Sequence, residues 1–553
     1  MHWIQNDVPL EVHPKKNQII YFSRYFNCHP ILIQYLFHHG LENRETISNF
    51  FSPASDNFHD PFLLNDMKEA AIRIIKAIKN QEKILIFGDY DCDGITSTSI
   101  LLKCLKKFGA NAIYRLPLRD EGYGITPSSI REASNNNISL IITVDNGSSA
   151  HTAMNEAAQK GIDMIVTDHH EILGQHPKCF AFVNPKRHDN TYPFPELCGA
   201  GVAFKLVHAL YIVTCKNWKA DIKDYIELAT LGTIADLMPL KGENRTICQL
   251  GFRKMNTTPS NTLKKIFKQL KIIQVNSGTI GFQIAPLFNA LGRIDNPNFA
   301  VEVLTNESVD DKNIHLLIEL NKRRKQMTQE QYEICETTIK SKNLSHNHII
   351  IVYGAFHHGL IGILASKITE KFHKPAIVIS ENGTGSCRSV NGSDFSIINV
   401  LNRCKNHLIK YGGHQAAAGF SIEPNDKLLV AFYHDMQMFA EQEGPIKPIK
   451  HFFAKLSPQD FSHNIYKDIL LLEPFGQEFS QPIFLSNKMS FEYIEKFGKN
   501  NTHAKLISPS MEYFYLFNKG ENAHKLRNQE IGLFYSSTLN HQNEFIIHGI
   551  IKA

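Results

Sequence analysis

Three apolar runs in the first half of the chain are each followed by acidic or imidazole side chains. The residues that follow the runs 84–87, 140–144 and 163–167 are Asp89, Asp91, Asp93, Asp145, Asp168, His169 and His170. Carboxylates crowded in this way repel one another and are costly to bury unless a cation lies among them. Single aspartates are common in turns and at helix N-caps, but three such strand ends together indicate a metal site.

The donor atoms of these residues define the chemistry of the predicted site. Carboxylate oxygens with some imidazole suit Mn²⁺ or Mg²⁺, and the histidines favour Mn²⁺. The carboxylates outnumber the needs of one ion, so we expect two ions. Asp236, in the otherwise apolar run 226–236, is a further candidate ligand because a buried carboxylate needs a partner. Two-metal sites promote in-line displacement at phosphate by an activated water.

The elements that position these residues follow from the pattern of apolar residues. Short apolar strands alternate with amphipathic helices from about residue 67 onward, which indicates an α/β fold with a parallel sheet. Ligands bind outside the carboxyl ends of such strands, so the acidic residues should meet at one edge of the sheet. A long polar helix over 308–340 is predicted to lead into a second α/β lobe.

The second lobe contains candidates for phosphate binding. Ser386, Arg388 and the loop Gly412-Gly413-His414 are typical of an anion cradle, because arginine grips phosphate bidentately and glycines admit it to the backbone. Arg293 in the first lobe is similar. A surface arginine and a plain turn are the alternatives. The basic run 322–325 is interpreted as a solvated helix face rather than a nucleic-acid contact.

Residues 446–553 are rich in strands and turns, which favours a small barrel of the oligonucleotide-binding (OB) kind. Its aromatic residues could stack on bases, although we expect them in the barrel core; they are Tyr513, Phe514, Tyr515 and Phe517. The predicted division is therefore an N-terminal segment 1–60, a catalytic lobe 61–305, a connecting helix 306–340, a substrate-binding lobe 341–445 and an OB-like domain 446–553.

Composition excludes several classes of protein. The chain has 553 residues, a formal charge of +5 and ten cysteines without a CxxC pair, so neither a zinc ribbon nor a disulfide framework is indicated. No run reaches the roughly 18 apolar residues that span a bilayer, and the first residues do not form a signal peptide. We expect a soluble, cytoplasmic protein that does not bind membranes.

Several motifs, in order along the chain, resemble the DHH phosphoesterase superfamily. In the first lobe they are Asp91-Cys92-Asp93-Gly94, Val144-Asp145-Asn146-Gly147, Asp168-His169-His170 and Gly232-Thr233-Ile234-Ala235-Asp236. The second lobe is similar to the associated domain of that superfamily, over Gly412-Gly413-His414-Gln415-Ala416-Ala417-Ala418-Gly419. Two further stretches narrow the resemblance to the RecJ family; they are residues 289–293 and 472–476.

The resemblance implies a role for each matching residue. It makes Asp91, Asp93, Asp145, His169 and Asp236 metal ligands and Asp89 an accessory ligand. It makes His170 the residue that binds or activates the scissile phosphate. It assigns the substrate phosphates to Arg293, Ser386, Arg388 and His414.

The resemblance also implies an activity: a Mn²⁺- or Mg²⁺-dependent 5′→3′ exonuclease that hydrolyses single-stranded DNA to nucleoside 5′-monophosphates. It further implies DNA recombination and repair, and cooperation with a helicase and a single-strand-binding protein. We also expect a monomer. One alternative is a DHH-type phosphodiesterase acting on short oligonucleotides or cyclic dinucleotides. Another is a non-catalytic nucleic-acid-binding protein.

Overall fold

The chain forms two units, and the computed structural model describes residues 2–552 apart from Leu173, Pro445, Lys447, Asn540 and Gln542. One unit comprises Ala54–Ile446 with Gly476–Glu478, and it contains every predicted site residue. The other comprises Met1–Pro53, Lys447–Phe475 and Phe479–Ala553. Among the described residues, no helix combines the length and apolar character needed to cross a membrane.

A five-stranded parallel sheet forms the centre of the first lobe. Its strands lie in the order Asn111–Arg115, Lys83–Phe87, Leu140–Val144, Asp163–Thr167 and Ala181–Val183. All neighbouring pairs are parallel, with Ile86 opposite Ile142 and Ile142 opposite Ile165. The three central strands are almost entirely buried, as expected for a sheet covered on both faces. Their carboxyl ends meet at one edge.

Helices enclose this sheet and carry the remaining site residues of the first lobe. Cys92–Lys107 is buried over most of its length and packs against Gly199–Val213 and Ile226–Ala235. The other α-helices of the lobe are Met67–Lys79, Pro127–Asn135, His151–Gln159, Trp218–Asp221, Gly242–Thr257, Asn261–Leu270, Ser277–Thr279, Ala285–Ile294 and Asn298–Thr305.

The helix Asp311–Ser341 leads from the first lobe to the second. The second lobe has a mixed five-stranded sheet in the order Lys410–Gly413, Ala417–Ser421, Thr384–Arg388, Ala376–Ser380 and Ile350–Gly354. Only its last two strands are parallel. Its helices are Ile361–Phe372, Ile397–Arg403 and Asp426–Gln442. Apolar clusters on both faces of the sheet form the core of the lobe.

One predicted loop of the second lobe is a strand. Lys410–Gly413 pairs antiparallel with Ala417–Ser421, so Gly412 and Gly413 belong to a hairpin. The glycines concealed this strand, because a run without side chains has no apolar alternation to reveal it. Gly413 has a φ of 145°, which a residue with a side chain rarely adopts.

The second unit joins the start of the chain to its end. The strand His2–Gln5 pairs in parallel with Ile449–Phe452. The α-helices of this unit are Lys16–Tyr25, Pro30–His38, Arg44–Phe51 and His463–Leu471. Its seven-stranded sheet runs in the order Ala454–Lys455, Phe484–Leu485, Ile531–Ser537, Glu544–Lys552, Tyr513–Leu516, His503–Ile507 and Tyr493–Phe497.

The aromatic residues of this sheet divide between its core and its surface. Phe514 is fully buried, whereas Tyr513 and Tyr515 are half-buried and Phe517 is exposed. The expectation of a purely structural role therefore holds for Phe514 alone. The domain boundaries predicted at residues 60, 305, 340 and 445 stay predictions.

Candidate metal centre and phosphate-binding cleft

The predicted metal ligands come together at the carboxyl edge of the parallel sheet. Their donor atoms form three overlapping groups, within each of which all donor atoms lie within 4.8 Å of one another. The groups are Asp89 with Asp91 and Asp145, Asp93 with His169 and Asp236, and Asp145 with His169 and His170. Asp145 and His169 each belong to two groups, so these residues form one continuous cluster.

His169 lies at the centre of this cluster. Its Nε2 atom is 3.1 Å from Oδ1 of Asp145, 3.6 Å from Oδ2 of Asp236 and 3.7 Å from Oδ2 of Asp93. Within the described part of the chain, neither ring nitrogen of His169 has a hydrogen-bond partner, and Oδ1 of Asp89 and Oδ1 of Asp145 also have none. Buried polar atoms are rarely left unpaired. These four atoms therefore fit a bound cation.

The acid–base properties of the cluster also favour a cation. Burial, with the charges of neighbouring aspartates, raises the pKa of Asp89 and of Asp145 well above its usual range. The same causes raise the pKa of Asp236 to about 8. Burial lowers the pKa of His169 to about 4, which keeps the ring neutral and able to act as a ligand. A divalent ion would stabilise the charged carboxylates, and mostly oxygen donors with imidazole suit Mn²⁺ or Mg²⁺.

Two helix N-termini hold the aspartates of the first loop. Oδ1 of Asp91 accepts a hydrogen bond from the backbone N–H of Gly94 at 3.0 Å and caps the helix Cys92–Lys107. Asp93 accepts from the N–H groups of Gly199 and Ala200 at 2.7 and 2.9 Å, at the start of the helix Gly199–Val213. The positive end of a helix stabilises such a carboxylate.

Glycines allow these carboxylates to pack against the helices. A Cβ atom on Gly199 would lie 2.5 Å from the Cβ of Asp145, and one on Gly232 would lie 2.5 Å from Oδ1 of Asp93. Asp145 itself has a φ of 63°, a strained conformation of the kind that concentrates at functional sites. Gly199 has no role in the sequence-based prediction, and the only local signal is the pair of glycines at 199 and 201.

Asp168 differs from the other strand-end acids because its carboxylate is taken up by hydrogen bonds and is not part of the three donor groups. It is buried and accepts hydrogen bonds from the backbone N–H groups of Ser148 at 2.9 Å and His169 at 2.8 Å. Its Oδ1 atom also lies 2.8 Å from Nδ1 of His170. Burial alone would lower the pKa of His170, but the hydrogen bond and charge of Asp168 raise it to about 9. Asp168 therefore orients His170 and favours its protonated form.

A cleft of about 620 Å³ lies between the two lobes of this unit. Its polar lining residues come from both lobes; they include Tyr90, Arg119, Arg293, Ser386, Arg388 and Lys410. Arg388 donates from Nη1 to Oγ of Ser386 at 3.2 Å and to the carbonyl oxygen of Cys387 at 2.8 Å. Arg293 donates from Nη1 to the carbonyl oxygen of Gly359 at 3.0 Å, which ties the first lobe to the second.

Arg119, Arg293 and Arg388 line this cleft, and Arg324 lies near enough to Arg293 to act on it electrostatically. Burial, with the charges of Arg119 and Arg324, lowers the pKa of Arg293 to about 10. None of Arg119, Arg293, Arg324 and Arg388 forms an ion pair with a carboxylate among the described residues. A buried cation without a partner is unfavourable, so the cleft is suited to an anion.

The sequence patterns pointed to only some of the residues around this cleft. Arg293, Ser386 and Arg388 line it together, as expected from sequence. His414 is exposed at the end of the hairpin strand and does not line the cleft. Arg119 and Arg324 were not predicted. Arg324 lies in the basic run 322–325 that was interpreted as a solvated face, but burial lowers its pKa.

The sequence matches three family models. The DHH family, N-terminal domain, matches residues 83–233, the DHHA1 domain matches residues 346–434, and the RecJ OB domain matches residues 454–545. The first two lie in the two α/β lobes, and the third covers most of the seven-stranded sheet. The architecture predicted from sequence, two α/β lobes with an OB-like domain, is confirmed.

Two curated relatives are single-stranded-DNA-specific exonucleases named RecJ. The protein from Bacillus subtilis (strain 168) is 35% identical over 523 residues, and the match covers 92% of this chain but only 65% of that protein. The protein from Haemophilus influenzae is 31% identical over 481 residues, and the match covers 81% of this chain and 82% of that protein.

A solved structure shares the fold over the whole chain. The crystal structure of RecJ in complex with Mn²⁺ from Thermus thermophilus matches with a TM-score of 0.85 and 24% sequence identity. The match covers 100% of this chain and 79% of that one. Together with the domain matches and the 31% identity that extends over 82% of the Haemophilus influenzae protein, these findings show that the chain belongs to the RecJ family.

Proposed function

We propose that this chain is a divalent-metal-dependent exonuclease that degrades single-stranded DNA from its 5′ end and releases nucleoside 5′-monophosphates. One observation carries the proposal: an acid–histidine cluster with unpaired buried donor atoms and a cleft lined by unpaired arginines occur in the same unit. The two are adjacent, because Tyr90, which lines the cleft, directly precedes Asp91 in the chain. A cation site beside an anion site is the arrangement that phosphodiester hydrolysis requires.

The residues of the cluster would hold the metal. Asp91, Asp93, Asp145, His169 and Asp236 are the proposed ligands of two Mn²⁺ or Mg²⁺ ions, and Asp89 is an accessory ligand. When bound, these ions supply Lewis-acid stabilisation of the phosphate charge and acidify the attacking water. The relative from Thermus thermophilus binds Mn²⁺ in its crystal structure, which supports this choice of ion.

The protein side chains bind and orient the substrate. His170, protonated by its pairing with Asp168, would donate a hydrogen bond to the scissile phosphate. Arg293, Ser386 and Arg388 would grip a second phosphate in the cleft, since guanidinium groups match phosphate geometry bidentately. His414 would contact the DNA outside the cleft. Holding two phosphates at once fixes the bond to be cut relative to the cluster.

The size of the cleft supports selection of single strands. A volume of about 620 Å³ is that of a pocket for one small ligand, so a nucleotide at a strand end would fit and a duplex would not. The OB-like domain would add sequence-independent contacts with single-stranded DNA.

The wider role follows from the family. We place the protein in DNA recombination and repair in the cytoplasm, acting as a monomer with a helicase and a single-strand-binding protein. The ten cysteines, none of them in a disulfide, support a reducing compartment. The chain spans 65% of the Bacillus subtilis relative, so these roles rest on family membership and not on a match to a whole protein.

One assay tests the activity. The purified protein should digest a single-stranded oligonucleotide in Mn²⁺ and stop in EDTA, and a 5′-labelled strand should release its label as a mononucleotide before a 3′-labelled strand does. A blunt duplex should be digested much more slowly. Equal rates on duplex and single strand would refute selection by cleft size. Preference for dinucleotides or cyclic dinucleotides would favour the phosphodiesterase alternative, and binding without digestion would favour the non-catalytic one.

A further inference from the structure

Leu237 directly follows the proposed metal ligand Asp236 and has an unusual backbone conformation. Its φ is 55°, in the left-handed region. It closes the helix Ile226–Ala235, since its N–H donates to the carbonyl of Ile234 at 3.2 Å and the N–H of Met238 donates to Thr233 at 3.1 Å. This is the Schellman arrangement, whose left-handed position glycine usually fills because a side chain there is strained.

The side chain of Leu237 is mostly exposed to solvent and packs little against the protein interior. It is 72% exposed, whereas Met238 and Leu240 on the same segment are 8% and 1% exposed. One exposed leucine is ordinary in a globular protein. A leucine that is both strained and exposed gains neither helix stability nor burial, and strain of this kind clusters at functional sites.

The position of Leu237 indicates what this residue does. The side chains of Asp93, Asp145 and His169 are 2%, 3% and 7% exposed, but that of Asp236 is 31% exposed. The side chain of His170 is 46% exposed, so the cluster opens to solvent at Asp236 and at His170, the residue proposed to contact the scissile phosphate. Leu237 is exposed and directly follows Asp236 in the chain, so its backbone lies next to this opening.

We infer that Leu237 is a substrate-contacting residue, whose side chain packs against the nucleobase of one of the two nucleotides that flank the scissile phosphate. The inference rests on the proposed exonuclease function. An aliphatic side chain has no donor or acceptor, so it accepts all four bases, as degradation of any sequence requires. The contact holds the strand while the phosphate lies against the metal cluster.

Substitution separates this role from a structural one. Leu237→Gly relieves the left-handed strain, so its melting temperature should be at or above that of the wild type. Its KM for single-stranded DNA should nevertheless rise about 5- to 100-fold, the effect of losing one base contact, with kcat nearly unchanged. Leu237→Met should restore KM. The matched control is Ile273→Ala, at a fully exposed aliphatic residue outside the cluster, and it should leave KM unchanged.

Two outcomes would overturn the inference. One is a glycine variant that melts higher and has an unchanged KM, because Leu237 would then be only an unfavourable helix cap. The other comes from oligonucleotides that lack the base at the first or second nucleotide. With the wild type, one of these oligonucleotides should have a higher KM than the intact strand. With Leu237→Ala, its KM should equal that of the intact strand. If the missing base and the substitution raised KM additively, Leu237 would not contact that base.

Binding measurements distinguish this inference from the proposed function. If the wild type digests no single strand in Mn²⁺, the proposed function fails. The affinity of a fluorescent single-stranded oligonucleotide for the wild type and for Leu237→Ala still tests the contact. Equal affinities would exclude it, and weaker binding by the variant would support it.

Discussion

Gly199 and Asp145 lie so close together that a Cβ atom on Gly199 would come 2.5 Å from the Cβ of Asp145 and 2.6 Å from its Oδ1. Gly199 also donates its N–H to Asp93 at 2.7 Å. One residue without a side chain thus allows one carboxylate to enter the cluster and anchors another. The helix that begins at Gly199 is part of the proposed active site, although it supplies no ligand.

Gly199→Ala should therefore disable the cluster while the protein stays folded. The added methyl group must push Asp145 aside, and a displacement of about 1 Å at a catalytic group costs about 100-fold in rate. Overpacking should also lower the free energy of unfolding by about 1–3 kcal/mol. Digestion rates in Mn²⁺ and thermal melting measure the two effects. Gly281→Ala is the control, since a Cβ there meets nothing within 4 Å; equal activity of both variants would contradict the argument.

The stability of the Asp145→Asn variant, measured with and without Mn²⁺, tests whether Asp145 is a metal ligand. In EDTA the variant should melt above the wild type, because it replaces a carboxyl group whose charged form is disfavoured by burial and by the neighbouring aspartates. In the wild type, Mn²⁺ at about 100 times its Kd should add about 2.7 kcal/mol to the free energy of unfolding. The variant should lose most of this gain and all digestion while still binding single-stranded DNA. A Mn²⁺ shift as large as that of the wild type would remove Asp145 from the ligand set.

The location of the metal cluster was predictable because it depends on sheet topology. Strands of one direction end at one edge, so Asp89, Asp145 and His169 had to meet once the apolar runs were identified. Sequence could not separate Asp168 from its neighbours, because the direction of its side chain depends on a hydrogen bond from the backbone of Ser148. The sequence pattern of an acidic residue at a strand end is the same whether its side chain belongs to the metal cluster or forms hydrogen bonds with the backbone.

The residues that sequence missed act through packing between distant segments. Gly199 is far from Asp145 along the chain, and nothing local connects it to the cluster. Arg324 lies in a run of basic residues that is typical of a solvated helix surface, and only the fold brings it near Arg293. Long-range partners of this kind depend on how helices pack, which one sequence does not specify.

Arg388→Ala should weaken substrate binding more than the chemical step. Hydrogen bonds to charged groups contribute about 1.5–3 kcal/mol, which corresponds to a KM increase of about 10- to 150-fold. The slope of log KM against log salt concentration should also decrease by about one, because one phosphate contact is lost. Arg388→Lys should recover only part of the affinity, because lysine cannot form the bidentate contact.

The exposed Arg253 provides the control for this experiment. Arg253→Ala removes the same charge from a helix that does not line the cleft, so its KM should stay close to that of the wild type. If both variants raised KM equally, the effect would come from net charge and the cleft would have no special role.

Substitution of Lys205 tests whether its ion pair with Glu243 holds the helix Gly199–Val213 in place. The lysine is fully buried, and its Nζ atom lies 2.9 Å from Oε1 of Glu243, which is also buried and accepts hydrogen bonds from Tyr192 and from the backbone of His59. Lys205→Met should lower the free energy of unfolding by about 3–5 kcal/mol, because it leaves the charge of Glu243 unpaired in the interior. Denaturant titration measures the loss.

The double variant Lys205→Met with Glu243→Leu should recover part of that stability, since removal of both partners leaves no buried charge. Recovery should be incomplete because Tyr192 and His59 then lack their acceptor. Because Lys205 lies on the helix whose first residues hold Asp93, the single variant should also lose activity at temperatures where it is still folded. If the double variant were less stable than Lys205→Met alone, the pair would not be the interaction that fixes this helix.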